Sequence, residues 1–371
     1  MTANLEWLQL SLAPGLGLSG YWRLVQSFRT PSEVLRASRK ELLQVAGIQE
    51  RQIRGLFDRS GLLKCAEEEC DRLIKFGGAL LSYGDPGYPQ LLKELPDPPP
   101  VLFFLGDPEL LLQPTVAMVG SRAATSYGRR IAYDLAKGLS AQGLTVVSGL
   151  ALGIDTEAHK GALTGAGKTI GVLGCGLDVV YPSQNRSLYR QLIDHGVLIT
   201  EYPLGTKPDG FRFPARNRII AGISQGVVVV EAAKKSGSLI TAQIGLDYGR
   251  EVFAVPGQVD SFKSEGAHWL LQQGAKLVQR VEDIAVELSL QFVRDDKSDQ
   301  RGEHNFDIDP DAVALLEFIE PYPQVRETLI VKSGLCPSRV SELLLFLELE
   351  GFVEMLPGDK LRKVESRSVL G

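Results

Sequence analysis

Short apolar runs that alternate with helical stretches fill the sequence from residue 115 onward. The runs are TVAMVG, LTVVSG, TIGVLG, GVLITEY, GVVVVEA, EVFAVPG and AKLVQ, which begin at residues 115, 144, 169, 196, 226, 251 and 275. Runs of this length that are separated by helices predict βαβ units. Their continuous Val, Ile and Leu content is typical of parallel strands that are covered on both faces. The pattern therefore predicts an α/β fold with a Rossmann-like, doubly wound, mostly parallel sheet.

The first 75 residues have a helical pattern that is broken by glycines. Two segments, LSLAPGLGLSGYWRLVQSF from Leu10 and LLQVAGIQERQIRGLF from Leu42, each show a helix end, a glycine turn and a second helix. They predict a helical domain of the helix-hairpin-helix or SAM-like type, a shape often found on DNA backbones. A packing domain without DNA contact is an equally good interpretation. The sequence Gly15-x-Gly17-x-x-Gly20 lacks the βαβ context of a dinucleotide fingerprint, so we interpret it as a helix–helix turn.

The remaining segments complete a four-part organisation. Residues 83–107 are proline-rich and are expected to form an extended lead-in to the sheet. The polar segment 291–308 is predicted to be a linker. Three helices followed by two short strands then predict a winged helix. The predicted domains are 1–75, 76–290 and 309–371, with the linker between the last two.

The charge distribution indicates an anionic partner for the middle of the chain. The net charge is −5, but residues 115–257 hold 15 Lys and Arg against 10 Asp and Glu, whereas both flanks are acidic on balance. Such asymmetry is typical of proteins with anionic ligands. The four cysteines show no CxxC spacing, and no apolar run approaches the roughly 18 residues of a membrane span. We expect a cytoplasmic protein without a metal site, a disulfide framework or a membrane partner.

Small and polar residues follow the predicted strands at their carboxyl ends. In a doubly wound sheet, ligands bind outside these ends. A glycine turn before a helix binds anions through backbone N–H groups, and an arginine adds a planar charged fork. Candidate residues of this kind are Gly120, Ser121, Arg122, Ser148, Gly149, Gly237 and Ser238.

A basic and aromatic segment precedes the fifth of these runs. Such a mixture suits single-stranded nucleic acid, because cations track phosphates while rings stack on bases. A basic surface loop with its phenylalanines in the core is the alternative interpretation. The candidate residues here are Lys207, Phe211, Arg212, Arg216, Asn217 and Arg218.

Two further features suggest enzymes but have simpler interpretations. Asp155 and His159 are spaced i and i+4 on one helix face and could be a base and its orienting group; we favour a structural or ligand-orienting role. Gly167-Lys168-Thr169 resembles a P-loop, but position 162 is alanine, and a strand follows the motif where a helix is required. We interpret it as the end of a helix and the start of a strand.

The motifs VGSR, SGLALGIDTEAH, VLGCGLDVVYPSQN, EYP, FPARNRIIAG, VVEAAKKSGSLITA and AVPG together resemble the DNA-processing protein A family, DprA, also called Smf. The resemblance spans most of residues 75–290. It implies a Rossmann-like domain that binds single-stranded DNA, usually acts as a homodimer and loads the RecA recombinase during natural transformation. The positions that it implies for the DNA-binding pocket are Gly120, Ser121, Arg122, Lys207, Phe211, Arg216 and Arg218.

The favoured function is therefore a single-stranded DNA-binding mediator with no catalytic residue and no cofactor. One alternative is an enzyme that processes nucleoside monophosphates, with Glu231 as its carboxylate, although EAAKKSGSLITA lacks the paired glycines of the PGGxGT loop of such enzymes. Another alternative is a scaffold whose acidic C-terminal domain recruits partners. The acidic last helix of the winged helix disfavours duplex DNA, so we expect a protein partner or a weak regulatory contact there.

Overall fold

The computed structural model describes residues 2–165, 168–288, 309–320, 322–349, 352–356 and 358–363. The predicted linker at 291–308 and Gly167 of the Gly-Lys-Thr sequence lie outside these ranges. The chain separates into two units, Met1–Val293 and Arg294–Gly371. The finer domain boundaries given above stay predictions. No helix among the described residues is long and apolar enough to cross a membrane.

The N-terminal segment is helical, as predicted. Its helices are α1 (Thr2–Ser11), α2 (Gly17–Phe28), α3 (Pro31–Arg36), α4 (Arg39–Gln44), α5 (Glu50–Ile53) and α6 (Arg59–Phe76). Gly15 and Gly17 have positive φ values of 81° and 63° between α1 and α2, which confirms the helix–helix turn. The second predicted unit is less regular, because α5 is only one turn long and continues as a 3-10 helix over Arg54–Phe57.

The large sheet follows, and it contains nine strands among the described residues. The strands are β1 (Ala79–Ser82), β2 (Val101–Gly106), β3 (Thr115–Val119), β4 (Thr145–Ser148), β5 (Thr169–Val172), β6 (Val197–Thr200), β7 (Gly226–Val229), β8 (Glu251–Ala254) and β9 (Lys276–Leu277). The helices of this region are α7 (Gln90–Lys93), α8 (Ser126–Ala141), α9 (Ile154–Thr164), α10 (Arg186–His195), α11 (Arg212–Ile223), α12 (Gly237–Asp247), α13 (Glu265–Gln272) and α14 (Val281–Glu287).

The strand order is β1-β2-β6-β5-β4-β3-β7-β8-β9. The strands from β6 to β9 in this order are parallel, and each predicted apolar run forms one of them. Strand β2, which lies in the segment expected to be an extended lead-in, pairs antiparallel with β1 and with β6. The chain winds outward from β3 to β6 and then returns to β7 on the other side of β3. The carboxyl ends of β3 and β7 therefore flank the topological switch point.

Helices cover both faces of the sheet. Successive side chains of a strand point to opposite faces, so the apolar strands bury side chains under helices on each side. On β3, Ala117 and Val119 pack with buried residues of α11, α12 and α13. Val116 and Met118 pack on the opposite side with α8, α9 and α14. This arrangement confirms the doubly wound α/β fold.

The N-terminal helices are docked against the β1–β2 edge of the sheet. Trp22 Nε1 donates a hydrogen bond to Pro98 O over 2.8 Å, and the Trp7 and Tyr83 rings lie 5.6 Å apart. Leu204 N donates to the buried Glu69 carboxylate over 2.6 Å. These contacts support a packing role for the segment.

The C-terminal unit has the predicted winged-helix order. Its elements are α15 (Pro310–Glu317), β10 (Gln324–Val325), α16 (Arg326–Ser333), α17 (Pro337–Leu349), β11 (Val353–Leu356) and β12 (Lys360–Lys363). The strands pair antiparallel in the order β10-β12-β11. Gly358 and Asp359 have positive φ in the turn of the wing, while Pro357 lies outside the described ranges.

Candidate nucleic-acid interface

A crevice of about 710 Å³ lies beyond the carboxyl ends of β3 and β7. Its walls come from the loops after β3, β4, β5 and β7, from residues 208–210, from α11 and from the first turn of α12. The crevice therefore occupies the switch point at which doubly wound sheets bind ligands.

Glycines bring the loop after β3 close to the start of α9. A Cβ atom on Gly120 would lie 2.6 Å from Ile154 Cγ1 and 3.0 Å from Glu231 O. Gly153 has a φ of 82°, and a Cβ atom there would lie 2.2 Å from Ser121 O. Ile154 N donates to Ser121 O over 3.2 Å. Only glycine fits these two positions, and the close packing fixes the loop at the crevice.

Arg216 is a buried cation in the wall of the crevice. Its Nη1 donates to Gly149 O over 2.7 Å and also contacts Val172 O, while its buried Nε has no protein partner among the described residues. Burial lowers the pKa of Arg216 to about 10, the nearby Asp155 carboxylate opposes this shift, and the Arg122 charge adds to it. The guanidinium remains charged at neutral pH.

Arg122 contributes the second charge. It is exposed directly after the Gly120-Ser121 turn, and its Cζ lies 5.5 Å from the centre of the Phe213 ring. Within the described ranges, neither Arg122 nor Arg216 forms an ion pair with a carboxylate. Two like charges therefore share one concave surface, which favours an anionic ligand.

The N-terminus of α12 adds backbone donors to the same crevice. Gly237 is exposed, Ser238 is buried, and both line the crevice together with Lys235. The Ser236 side chain accepts from Ser238 N over 3.3 Å, and Asn217 Nδ2 donates to Gly237 O over 3.5 Å. The partial positive charge of a helix N-terminus favours phosphate near this turn.

A buried carboxylate contacts Thr125, the N-cap residue of α8. Thr125 N donates to the buried Glu231 side chain over 2.9 Å, and the Thr125 hydroxyl also contacts it. A Cβ atom on Gly128 would lie 2.4 Å from Glu231 Cδ, so glycine is needed there. Glu231, the carboxylate of the enzyme alternative, therefore holds Thr125, the N-cap residue of α8, and does not line the crevice.

Lys207, Phe211 and Arg212 form a cluster beside the crevice, in which Lys207 and Phe211 are exposed and Arg212 is half-buried. The Arg212 Cζ lies 5.0 Å from the Phe211 ring and 5.4 Å from the Tyr202 ring, and its Nη1 donates to Lys207 O over 2.5 Å. Phe211 is 67% exposed. These three residues do not line the crevice itself, whereas residues 208–210 between them do.

Three further candidate residues, Ser148, Gly149 and Arg218, are buried and do not line the crevice. Arg218 is buried, pairs with Glu201, and donates through Nη1 to Asp97 O over 2.8 Å. Ser148 is fully buried, and its hydroxyl donates to Met118 O over 2.6 Å. The expected direct contact of Arg218 and Ser148 with a ligand does not fit these placements, because their polar groups are already satisfied inside the protein.

Asp155 and His159 do not form a pair. The buried Asp155 carboxylate accepts from Gly149 N over 3.1 Å and Ala151 N over 3.4 Å, and burial raises its pKa. His159 is fully buried, and its Nδ1 lies 2.7 Å from Thr169 Oγ1. Burial lowers the pKa of His159 to about 3, so the ring is neutral. These contacts fit the structural or ligand-orienting role that we favoured from the sequence, since Asp155 orders the loop after β4 and lines the crevice.

Tyr181 was missed as a candidate from the sequence. It lines the crevice, is 42% exposed, and stacks on Phe213 with ring centres 5.3 Å apart. The sequence feature that could have identified Tyr181 is YPSQN, which follows β5 at the same end of the sheet as the loops after β3 and β4. No group of His, Cys, Asp and Glu residues suited to hold a metal ion occurs among the residues described.

Known proteins resemble this chain over nearly its whole length. Residues 79–289 match the family model described as DNA recombination-mediator protein A, and residues 302–359 match the DprA winged helix domain. Protein Smf of Synechocystis sp. is 33% identical over 393 aligned residues, which cover 96% of this chain and 98% of that protein. DNA processing protein DprA of Streptococcus pneumoniae is 47% identical over 203 residues, which cover 55% of this chain and 72% of that protein.

Two solved structures are similar as well. The crystal structure of the Streptococcus pneumoniae protein has a TM-score of 0.69 and 36% identity, covering 78% of this chain and 98% of that one. The Helicobacter pylori DNA processing protein A, described for its single-stranded DNA binding mode, has a TM-score of 0.52 and 32% identity. That match covers 57% of this chain and 95% of the other.

Proposed function

Since the chain belongs to the DNA recombination-mediator protein A family, we propose that it binds single-stranded DNA in the crevice beyond β3 and β7. Arg122 and Arg216, two arginines on one concave surface that form no ion pair within the described ranges, carry this proposal. The N-terminus of α12 supplies backbone donors for a further phosphate. Single-strand binding described for the Helicobacter pylori relative supports it.

A single strand suits the shape of this surface better than a duplex. A concave crevice of about 710 Å³ with a buried arginine in its wall suits a flexible strand with separated bases. The cluster of Lys207, Phe211 and Arg212 beside it provides cations and a ring for the continuing strand. Cations that follow phosphates and rings that stack on bases are the general means of sequence-tolerant single-strand binding.

Measurement of oligo-dT affinity by fluorescence anisotropy tests the proposal. Arg122→Ala is expected to weaken binding about tenfold or more, because a charged hydrogen bond contributes about 1.5–3 kcal/mol and about 1.4 kcal/mol is a factor of ten. Arg190→Ala is the matched control, since Arg190 is an exposed arginine on α10 that does not line the crevice. Equal oligo-dT affinities of the Arg122→Ala and Arg190→Ala variants would contradict the proposal that DNA binds in the crevice.

The cellular role that fits this binding is recombination mediation without catalysis. We propose that a homodimer delivers single-stranded DNA to RecA in the cytoplasm during natural transformation. The contact of Glu231 with Thr125 supports a binding function over nucleotide hydrolysis, because that carboxylate is not at the crevice. The rate of RecA assembly on DNA precoated with single-strand-binding protein measures this role, and an unchanged rate on adding the protein would contradict it.

A further inference from the structure

Three groups lie against one another at the mouth of the crevice. The Phe213 ring stacks on Tyr181 at 5.3 Å with an angle of 25° between the planes, and the Arg122 Cζ lies 5.5 Å from the Phe213 centre. Phe213 is only partly exposed. The Phe213 ring is thus in contact with both Tyr181 and Arg122.

Tyr181 keeps more ring surface for a ligand. It is 42% exposed and lines the crevice on which Arg122 and Arg216 lie. Within the part of the chain that the structure describes, its hydroxyl has no hydrogen-bond partner, and its ring stacks on Phe213. An aromatic ring in this state offers a flat apolar surface next to a phosphate-binding arginine.

A small cavity of about 70 Å³ adjoins the ring. It is lined by apolar groups of Leu152, Leu173, Cys175 and Pro182 together with Tyr181 and the two arginines. The loop after β5 therefore leaves a small space beside Tyr181 that is lined largely by apolar groups. The more exposed Phe211 has no such space described beside it, since it lines neither this cavity nor the crevice.

We propose that Tyr181 stacks on one nucleobase of the bound single strand, whose phosphates lie on Arg122 and Arg216. This inference rests on the proposed function and adds a base contact to what is otherwise a site for the DNA backbone. A π face accepts any base, so Tyr181 adds affinity without sequence preference. Phe213 acts as a positioning residue that holds the Tyr181 ring at the crevice.

The test compares two oligomers that share a backbone. One is oligo-dT, and the other is an abasic oligomer of the same length, which keeps the phosphates and sugars but lacks bases. Tyr181→Leu keeps apolar packing on Phe213 and removes the π face. We expect about a 5- to 150-fold loss of affinity for oligo-dT, from about 1–3 kcal/mol per stacked base. Affinity for the abasic oligomer is expected to be unchanged.

Two variants complete the design. Tyr181→Phe keeps the ring and is expected to bind oligo-dT like the wild type. Tyr127→Ala is the matched control, because Tyr127 is also 42% exposed but does not line the crevice. Thermal unfolding of each variant verifies the fold.

The outcomes separate the inference from the function beneath it. Equal loss on both oligomers, or no loss on either, with a folded Tyr181→Leu variant would overturn base stacking while leaving DNA binding intact. Failure of the wild-type protein to bind either oligomer would overturn the proposed function, and the inference with it.

Discussion

The crevice and the winged helix hold their arginines in opposite electrostatic settings. In the crevice, Arg122 and Arg216 have no carboxylate ion-pair partner among the described residues. In the winged helix, Arg326 pairs with Asp359, and Arg362 pairs with Glu354. Arg339 contacts three carboxylates, those of Asp309, Asp311 and Glu342.

If the crevice binds DNA as proposed, ion pairing distinguishes it from the winged helix, whose arginines contact carboxylates. A phosphate that enters the crevice meets two arginines that contact no carboxylate directly, although the buried Asp155 carboxylate lies near Arg216. A phosphate at Arg339 must compete with carboxylates that are already in contact. Because binding free energy comes from neutralised phosphates and released counterions, the paired surface gains little. The winged-helix fold alone is therefore weak support for a DNA contact by this unit.

The largest expected effect comes from removing the buried charge of the crevice. Arg216→Met keeps much of the volume but removes the guanidinium that holds Gly149 O and Val172 O. We expect oligo-dT affinity to fall about 10- to 150-fold, because charged hydrogen bonds contribute about 1.5–3 kcal/mol. The unfolding free energy is expected to fall by about 1–3 kcal/mol, since buried carbonyls lose their donor.

Anisotropy and thermal unfolding check this expectation together. Arg216→Lys is the companion variant, because it keeps the charge and loses the planar fork, and it should give an intermediate affinity. A folded Arg216→Met protein with wild-type affinity for oligo-dT would contradict a role of the buried arginine in binding, since Arg122 would then be the one arginine of this pair that contributes.

The sheet could be predicted from sequence because its parallel strands are continuous apolar runs. Strands β1 and β2 could not, because prolines surround VLFFLG and its antiparallel pairing with β6 is a tertiary contact. The location of the crevice was also predictable, since carboxyl strand ends and glycine turns are local features. The DNA residues themselves stay a prediction that binding data must test.

The sequence did not predict the direction in which each side chain of the candidate site points. Arg216 and Arg218 are two residues apart on α11, so their side chains point about 200° apart. One lines the crevice and the other pairs with Glu201, yet both are basic and nothing local distinguishes them. Glu231 at the α8 cap and Tyr181 on Phe213 likewise depend on partners that are distant in sequence.

The salt dependence of oligo-dT binding provides a further test of the difference between the crevice and the winged helix, with a smaller expected effect. For single strands, the slope of log affinity against log salt is about −0.7 per neutralised phosphate. Arg122→Ala should therefore make the slope shallower by about 0.7, which is roughly a threefold difference between about 50 and 200 mM salt. Arg339→Ala should leave the slope for oligo-dT unchanged. A shallower slope for Arg339→Ala would mean that the paired arginine also neutralises phosphate.

The smallest expected effect comes from releasing the paired arginine. Asp309→Asn combined with Asp311→Asn frees Arg339 from two carboxylates, while the asparagine amide oxygen that replaces the Asp309 carboxylate still caps α15. Affinity of the whole protein for duplex DNA at low salt should rise less than about fivefold, because exposed ion pairs are weak. Glu317→Gln with Glu320→Gln is the control with the same change in net charge. An equal gain in the control, measured by anisotropy, would show that net charge and not pairing limits this surface, and the contrast with the crevice would lose its physical basis.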